Sequence, residues 1–146
     1  MTGKRDWQRG RVYAWENRVV APRDSTFVRY QAAQAMVDAI WSDMGLRYPP
    51  AVQPLPRQAI ATVASANRLS IFLPGLTPSW WLFHEIAHAM SSDADGSSDG
   101  HGEVFMGIYV QLLVRYLRLD KGKLLASLQD DGIAIAVDAR PVFINA

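Results

Sequence analysis

The sequence contains no cysteine, which excludes disulfides, thiolate-bound zinc, iron–sulfur clusters and cysteine nucleophiles. It also lacks the roughly 18 consecutive apolar residues of a membrane-spanning helix, and no apolar stretch follows its basic N-terminal residues, as a secretion signal requires. An excess of charge of one sign is absent too, because 15 Lys and Arg balance 14 Asp and Glu to a net charge of +1. This balance disfavours a protein that binds polyanions through charge alone. Together these absences predict a soluble, cytoplasmic protein with no membrane partner.

The chain is long enough to form an ordinary hydrophobic core. It has 146 residues, of which 49% are hydrophobic and 20% are charged. Domains commonly contain about 100–200 residues, and a chain of this size buries about 68–70% of its unfolded surface. Neither an internal repeat nor a linker rich in Gly and Ser divides the sequence. We therefore expect a single domain over residues 1–146.

Hydrophobic spacing and turn residues predict an α+β fold. The first 20 residues have no clear periodicity and receive no assignment. The first predicted helix runs from Thr26 to about Met44, capped by Asp24 or Ser25, and an irregular connection through Pro49–Pro56 follows it. An antiparallel hairpin of Ala59–Ala64 and Leu69–Leu73 comes next, and then a helix from Thr77-Pro78 to about Met90. The remaining predicted elements are a loop over Ser91–Gly100, a helix from about Gly102 to Leu119, a short helix over Lys121–Gln129 and a β-rich tail over Ile133–Ile144.

The motif His84-Glu85-Ile86-Ala87-His88 lies on a segment that is predicted to be helical. Side chains at positions i and i+4 lie one above the other on the same helix face, so both imidazoles can bind one zinc ion at about 2.0–2.1 Å. Glu85 is offset from the first ligand, and its carboxylate can reach a zinc-bound water rather than the zinc itself. The spacing therefore predicts His84 and His88 as metal ligands and Glu85 as a catalytic acid–base.

The third and last histidine of the chain, His101, follows the motif after a loop. A catalytic zinc takes three protein ligands and leaves one position open for water. The predicted loop contains Gly96 and Gly100, which make it flexible enough to fold the next helix back over the first. We therefore predict one zinc ion per chain, bound by all three histidines of the sequence.

A zinc ion in this site would support hydrolysis. Zinc lowers the pKa of a bound water towards about 7, and Glu85 would take its proton and later pass it to a leaving amine. The oxyanion formed by attack on a carbonyl needs a further hydrogen-bond donor. Tyr109, Arg68 and Arg115 are candidates, although packing or surface roles are commoner for all three.

Other interpretations of the same residues stay open. A His-Glu-x-x-His string also occurs by chance on exposed helices, and a closed structural zinc site would take its fourth ligand from an acidic residue near His101. The loop matches the opening of a calcium-binding loop at Asp95, Ser97, Asp99 and Gly100, but its twelfth position is Met106, where calcium requires a bidentate Glu. The acidic residues available as a fourth zinc ligand are Asp93, Asp95, Asp99 and Glu103.

A pair of tryptophans and a group of basic residues each allow a structural and a functional interpretation. Trp80 and Trp81 lie one helical turn before the motif, where they either pack in the core or form an apolar wall beside a cleft. Basic residues near the N-terminus form either a solvated face or a contact with nucleic acid, which would show as a steep dependence on salt. The basic residues are Lys4, Arg5, Arg9 and Arg11.

The order of elements and the two histidine motifs resemble the compact zinc metallopeptidases of the SprT-like and WLM kind. In those proteins a third histidine follows the HExxH helix, and an aromatic residue lies four positions later, as Phe105 does here. A closer resemblance, over nearly the whole chain, is to small metallohydrolases of actinobacteria and their phages. The matching segments are RDWQRGRVYAWE (Arg5–Glu16), IFLPG (Ile71–Gly75), HEIAH (His84–His88) and HGEVF (His101–Phe105), in which Glu103 replaces the proline usual in that family.

The resemblance implies a minimal zincin-like fold, with a small antiparallel sheet packed on the active-site helix. It implies zinc held by His84, His88 and His101, Glu85 as the acid–base, and strand Leu69–Leu73 pairing with an extended substrate. We therefore predict a zinc-dependent hydrolase, a metallopeptidase that acts on a peptide or protein substrate. The alternatives are a non-catalytic zinc-binding regulatory or interaction module, and a metal hydrolase that acts on a nucleic-acid-associated substrate.

Overall fold

The computed structural model describes residues 6–56, 64–93 and 95–143, whose helices and small sheets confirm the predicted α+β class. No helix within these ranges is long and apolar enough to cross a membrane. In chain order, the elements are α1 (Arg9–Trp15), a π-helical turn (Glu16–Val20), a 3-10 turn (Ala21–Arg23), β1 (Phe27–Arg29), α2 (Tyr30–Asp43), β2 (Ala51–Pro54), β3 (Ser65–Ala66), β4 (Ser70–Leu73), β5 (Leu76–Pro78), α3 (Ser79–Met90), α4 (Glu103–Tyr116) and α5 (Lys121–Asp130).

Helix α3, which carries the HExxH motif, lies in the interior of the fold. Nine of its 12 residues are buried, and it packs against α4 and against strands β1, β3, β4 and β5. A helix that is apolar on all sides is typical of an interior position, and the apolar side chains of Leu82, Phe83, Ile86 and Met90 are all buried. The polar residues of the motif are therefore held in surroundings that largely exclude water.

Helix α3 begins at Ser79 rather than at the predicted Thr77-Pro78. Those two residues belong to β5, which pairs antiparallel with β1. The predicted cap is therefore wrong, and the hydroxyl of Thr77 has no hydrogen-bond partner among the described residues. Instead, the backbone N–H of Trp80 donates to a carboxylate oxygen of Asp24 at 3.1 Å. The start of α3 is thus capped from a distant part of the chain.

Helix α2 begins at Tyr30 and not at the predicted Thr26, because residues 27–29 form β1. Neither Asp24 nor Ser25 caps it. The carboxylate of Asp24 accepts from the N–H of Thr26 at 3.1 Å and otherwise serves α3. The predicted end of the helix is confirmed, since Gly45 follows with a φ of 74°, a conformation that commonly terminates helices.

Strand β4 is the central strand of a three-stranded sheet with the order β2-β4-β3. β3 pairs antiparallel with β4, as in the predicted hairpin, but over Ser65–Ala66. The predicted strand Ala59–Ala64 lies outside the described residues apart from Ala64, which is not in a strand. β2 falls in the connection predicted to be irregular and pairs parallel with β4. The sheet is therefore mixed, and not antiparallel as predicted.

Both sides of β4 are paired, with β2 on one side and β3 on the other. A strand can take up an added strand only where its backbone groups are free. The expectation that Leu69–Leu73 pairs with an extended substrate is therefore wrong. Of the two outer strands, β3 contacts α3.

Helices α4 and α5 start close to their predicted positions. α4 begins at Glu103, within about one residue of the prediction, and ends three residues before the predicted Leu119. Beyond its end, Arg118 takes a left-handed φ of 57°, which is incompatible with a continuing helix. α5 confirms the short helix predicted over Lys121–Gln129.

The tail predicted to be β-rich over Ile133–Ile144 contains no strand in its described part, residues 133–143. It crosses the first half of α4 in an irregular conformation, and the N–H of Ala136 donates to the carbonyl of Glu103 at 3.1 Å. The crossing is close because Gly107 has no side chain. A Cβ at that position would lie 1.9 Å from the carbonyl oxygen of Ala136.

The N-terminal segment, whose structure was not predicted, forms α1 and the π-helical turn. Its buried residues recur at i, i+3, i+4, i+7 and i+8, which is the spacing of one helix face. They are Val12, Trp15, Glu16, Val19 and Val20. Glu16 is thus the one charged residue on the face that packs against the core.

Polar contacts attach the N-terminal segment to the region after α5. The side chain of Gln8 donates to the carbonyl of Ala134 at 3.1 Å and accepts from its N–H at 2.5 Å. Arg18 forms an ion pair with Asp131 at 2.6 Å. These contacts fix the N-terminal segment beside the start of α4.

Candidate metal centre

The three histidines of the chain converge on one point. His84 and His88 lie one turn apart on α3, and His101 lies in the turn that precedes α4. The Nε2 atom of His88 is 3.1 Å from that of His84 and 3.2 Å from that of His101. The Nε2 atoms of His84 and His101 are 3.3 Å apart, so the three atoms form a nearly equilateral triangle. The structure thus brings together the three residues predicted as metal ligands.

The triangle has the dimensions of a tetrahedral metal site. Zinc–nitrogen distances of 2.0–2.1 Å and tetrahedral angles imply ligand nitrogens about 3.3–3.4 Å apart. Three imidazole nitrogens this close cannot all hydrogen-bond to one another, and unprotonated nitrogens repel at this distance unless a cation lies between them. The three histidines therefore form a group that could hold a metal ion.

Two of the histidines contact carboxylates through their other ring nitrogen. Nδ1 of His84 lies 2.6 Å from Oε2 of Glu16, which is only 2% exposed. The hydroxyl of Tyr109 donates to the same oxygen at 2.6 Å. Nδ1 of His101 lies 2.8 Å from Oδ2 of Asp6. A carboxylate accepting from Nδ1–H leaves Nε2 unprotonated, which is the form that binds a metal.

Sequence reasoning missed both Glu16 and Asp6. A signal for Glu16 was present, because the apolar spacing of the N-terminal segment places it on a buried face. Asp6 had no such signal, since its partner His101 lies 95 residues away. Both residues fall within the segment Arg5–Glu16 that carries the family resemblance, to which no role was attached.

Phe105 lies against all three imidazole rings. Its ring is fully buried, stacks on His88 at a centroid distance of 4.4 Å, and meets the rings of His84 and His101 edge-on at 5.0 and 5.1 Å. Its place four residues after His101, one turn into α4, lets it fill the space behind the cluster. It thereby restricts the rotation of the rings.

Glu85 lies next to this cluster in a cavity of about 190 Å³. Its side chain is buried, at 7% exposure, and makes no hydrogen bond or ion pair with another described residue. The cavity is lined by Tyr13, Glu16, Asn17, Ala64, Trp80, Trp81, His84 and Glu85. The predicted acid–base and one predicted ligand thus share a single cavity.

Burial sets the protonation of these groups. Burial raises the pKa of Glu85 to about 8, and the nearby carboxylate of Glu16 adds to the rise. Burial also raises the pKa of Glu16 to about 7, against the opposing effects of the Tyr109 hydrogen bond and of His101. For His84, burial and then His101 lower the pKa to about 3. The pKa of His88 is lowered for similar reasons, so both imidazoles of the motif are neutral.

The three predicted oxyanion donors do not line the cavity. Tyr109 is fully buried and donates its hydroxyl within the core. Arg68 lies over the ring of Phe143, with its guanidinium carbon 4.3 Å from the ring centroid. Arg115 forms an exposed ion pair with Asp43 at 3.0 Å. All three therefore have the packing or surface roles that were expected to be the commoner ones.

Aromatic side chains form much of the cavity wall. Trp80 and Trp81 both line it and meet each other edge to face at a centroid distance of 6.0 Å, which favours the cleft-wall interpretation of this pair. Tyr13 also lines the cavity, and its ring centroid lies 5.0 Å from that of His101. Sequence reasoning had not singled out Tyr13.

The acidic residues of the loop do not complete the cluster. Among the described residues, no carboxylate joins the three histidines as a fourth ligand. Asp99 accepts hydrogen bonds from the N–H groups of Val104 and Phe105 at the start of α4, and Asp93 accepts from Ser97 within the loop. These bonds are those of a polar turn and a helix cap rather than of a metal loop.

Comparisons with protein-family models, with curated proteins and with solved structures find no match to this chain. The resemblance to zincin-like metallohydrolases therefore stays a prediction.

Proposed function

We propose that this protein is a zinc-dependent hydrolase of the minimal zincin type that cleaves peptide or related amide bonds. The observation that carries the proposal is the placement of Glu85. Its buried carboxylate has no hydrogen-bond partner among the described residues and lines the cavity that also reaches His84. A carboxylate that has no such partner and opens into a cavity beside candidate metal ligands is available to a bound molecule, and ionisable groups with perturbed pKa values are concentrated at functional sites.

Zinc is the ion that best suits this set of donors. Neutral imidazoles are common zinc ligands, and three protein ligands with no fourth among the described residues are typical of a catalytic rather than a structural zinc site. His84, His88 and His101 would hold the ion. When bound, zinc supplies Lewis acidity to a water molecule and to the carbonyl oxygen of the substrate.

The other residues of the cavity supply proton transfer and hydrogen bonding. A cation held by the three histidines would lower the raised pKa of Glu85 and ionise it. The carboxylate would then accept a proton from the attacking water and deliver it to the leaving amine. Tyr13 replaces the three predicted donors as the candidate that stabilises the oxyanion, because its ring lines the cavity, is 40% exposed and lies beside His101.

The shape of the cavity favours a substrate with an apolar side chain next to the cleaved bond. A cavity of 150 Å³ lined by apolar residues is large enough to bind benzene, and the present one has about 190 Å³. Trp80, Trp81 and Ala64 supply the apolar part of its lining. A leucine or phenylalanine side chain fits this space.

The test is hydrolysis of a library of synthetic peptides by the zinc-loaded protein, with cleavage read by mass spectrometry. We expect wild type to cleave peptides, and Glu85→Gln to keep its zinc while the rate falls by about 10²–10⁴-fold. The matched control is Glu103→Gln, an exposed glutamate outside the cavity, which keeps both zinc and activity. Cleavage by Glu85→Gln at the wild-type rate, or no cleavage by zinc-loaded wild type, would refute the proposal.

The same experiment separates the alternative functions. A non-catalytic zinc-binding module binds zinc and cleaves no peptide. A nucleic-acid-associated hydrolase would bind oligonucleotides with a steep dependence on salt. Of the basic residues named for that function, Lys4 and Arg5 lie outside the described residues, Arg11 donates to the carbonyl of Gly132, and Arg9 lies over the ring of Tyr13.

A further inference from the structure

We propose that Asp6 and Glu16 are positioning residues of the metal centre, which hold His101 and His84 with their Nε2 atoms directed at the ion. This inference rests on the zinc site proposed above. Both carboxylates come from one short stretch of chain, residues 6–16, which lies behind the histidines and is remote from them in sequence. The N-terminal segment is thus an integral part of the metal centre.

Asp6 is needed because His101 does not lie on a helix. A ligand in a turn is not held in place by regular backbone hydrogen bonds, so its orientation depends on tertiary contacts. Asp6 supplies two of them, from Oδ2 to the ring Nδ1 at 2.8 Å and from Oδ1 to the backbone N–H at 3.2 Å. Gln8 supplies a third, since its side-chain amide donates to the carbonyl of His101 at 3.0 Å.

Glu16 is held in turn by a buried hydrogen bond. Its Oε2 accepts from the hydroxyl of Tyr109 and contacts Nδ1 of His84, both at 2.6 Å, and all three side chains are buried. Tyr109 on α4 and Glu16 on the π-helical turn therefore fix the ring of His84 on α3. This explains why the tyrosine hydroxyl points into the core and not into the cavity.

The third ligand is held in a different way. Among the described residues, no carboxylate contacts Nδ1 of His88. Its ring is instead stacked on Phe105. The positioning role of the carboxylates therefore applies to His84 and His101 and not to His88. The effect of removing each carboxylate can be measured separately on each imidazole ring.

When either carboxylate is lost, the histidine that it contacts is no longer restricted to the tautomer with its proton on Nδ1. In Asp6→Asn and Glu16→Gln the charge that favours a proton on Nδ1 is lost. The amide oxygen is a weaker acceptor than a carboxylate, and an amide NH2 turned towards the ring donates to Nδ1, which places the ring proton on Nε2, where it blocks the ion. Mutation of such partners commonly lowers metal affinity by about 10–100-fold. We expect losses of this size for Asp6→Asn and for Glu16→Gln.

The experiment measures the zinc dissociation constant of the full-length chain by competition with a chelating dye. Asp131→Asn is the matched control, because it removes another carboxylate that anchors the N-terminal segment, through Arg18, without touching a histidine. We expect this control to bind zinc within about twofold of wild type. Unfolding of the metal-free variants is followed separately, so that loss of structure is distinguished from loss of affinity.

Nitrogen-15 spectra of the imidazole rings give a second readout, which a purely structural role would not change. In zinc-loaded wild type we expect the proton on Nδ1 of His84 and His101, and each variant should lose this signature only for the histidine that its carboxylate contacts. If Glu16→Gln does not fold, Asp6→Asn and Tyr109→Phe decide the question. Tyr109→Phe removes one hydrogen bond to Glu16 and should weaken zinc binding by about 2–10-fold.

The outcomes separate this inference from the proposed function. If wild type binds zinc and the folded variants bind it within twofold, with unchanged ring spectra, the positioning role is refuted and the zinc site stands. If wild type binds no zinc, the zinc site itself is refuted. A tenfold or greater loss in Asp6→Asn, with the control unchanged, supports the inference.

Discussion

Replacement of Gly107 by alanine sets two effects of opposite sign against each other. Alanine stabilises the interior of a helix by about 1 kcal/mol relative to glycine, so helix propensity alone predicts a more stable protein. The tail that crosses α4 opposes this gain. A Cβ at position 107 would lie 1.9 Å from the carbonyl oxygen of Ala136 and 2.7 Å from the Cβ of Ala139, whereas real Cβ atoms stay at least 3.0 Å from such neighbours.

The overlap outweighs the gain in propensity. The nearest atom belongs to the backbone, so no side-chain rotation relieves the contact. The tail has to move away, which breaks the hydrogen bond from Ala136 N–H to the carbonyl of Glu103, worth about 1 kcal/mol. Overpacking of a filled site costs a further 1–3 kcal/mol or so. We therefore expect Gly107→Ala to lower the free energy of unfolding by about 1–3 kcal/mol net.

The measurement is urea unfolding followed by circular dichroism, with Gly122→Ala as the matched control. Gly122 lies exposed near the start of α5, and the nearest atom to an added Cβ is a carboxylate oxygen of Asp120 at 3.4 Å. The same substitution should therefore stabilise the protein there, by up to about 1 kcal/mol. An unfolding midpoint of Gly107→Ala equal to or above that of wild type would refute the described crossing of the tail.

Three further predictions concern the centre and its supports. Zinc at a concentration about 100 times its dissociation constant should stabilise the fold by about 2.7 kcal/mol. In a thermal scan this should raise the melting temperature by about 5–10 °C, and His101→Ala should abolish the rise. Trp81→Ala should reduce the preference for peptides with leucine or phenylalanine over alanine beside the cleaved bond by at least about tenfold, measured as the ratio of kcat/KM values, and an unchanged ratio would contradict the assigned wall. Asp24→Ala removes the carboxylate that accepts from the N–H groups of Thr26 and Trp80, so it should lower the free energy of unfolding by about 1–2 kcal/mol in urea.

The candidate ligands could be predicted from the sequence because they depend on local geometry. The spacing of His84 and His88 on one helix face follows from the helix alone. His101 was the only other histidine available in the chain, so its inclusion needed no knowledge of the fold. The convergence of the three Nε2 atoms agrees with that prediction.

The supports of the centre could not be predicted, because they depend on contacts between distant residues. Asp24 caps a helix whose first turn lies 56 residues away, and Asp6 contacts a histidine 95 residues away. Local propensity placed Asp24 at the start of α2, where a capping residue is also favourable. In the folded chain Asp24 caps α3 and not α2, because its carboxylate accepts from the N–H of Trp80.

The pairing of the strands was also beyond the reach of local patterns. The extended conformation predicted for Leu69–Leu73 agrees with β4 at Ser70–Leu73, but its parallel partner β2 was not predicted. The parallel partner β2 lies in a stretch rich in proline, which local rules assign to irregular structure. The register between two strands is determined by which side chains of each strand face the core. For a strand as short as β2, the sequence alone does not show which side chains these are.

The position of His101 has a consequence for a chain that has no cysteine. The ligand groups come from two stretches 13 residues apart, so an ion bound between them would act as a reversible cross-link between the end of α3 and the start of α4. In the chain-entropy description, closing a loop of about 15 residues by a disulfide contributes about 3 kcal/mol. A disulfide responds to the redox state of its compartment, whereas this cross-link would respond to the supply of metal. The integrity of the fold and the occupancy of the centre would then be controlled together.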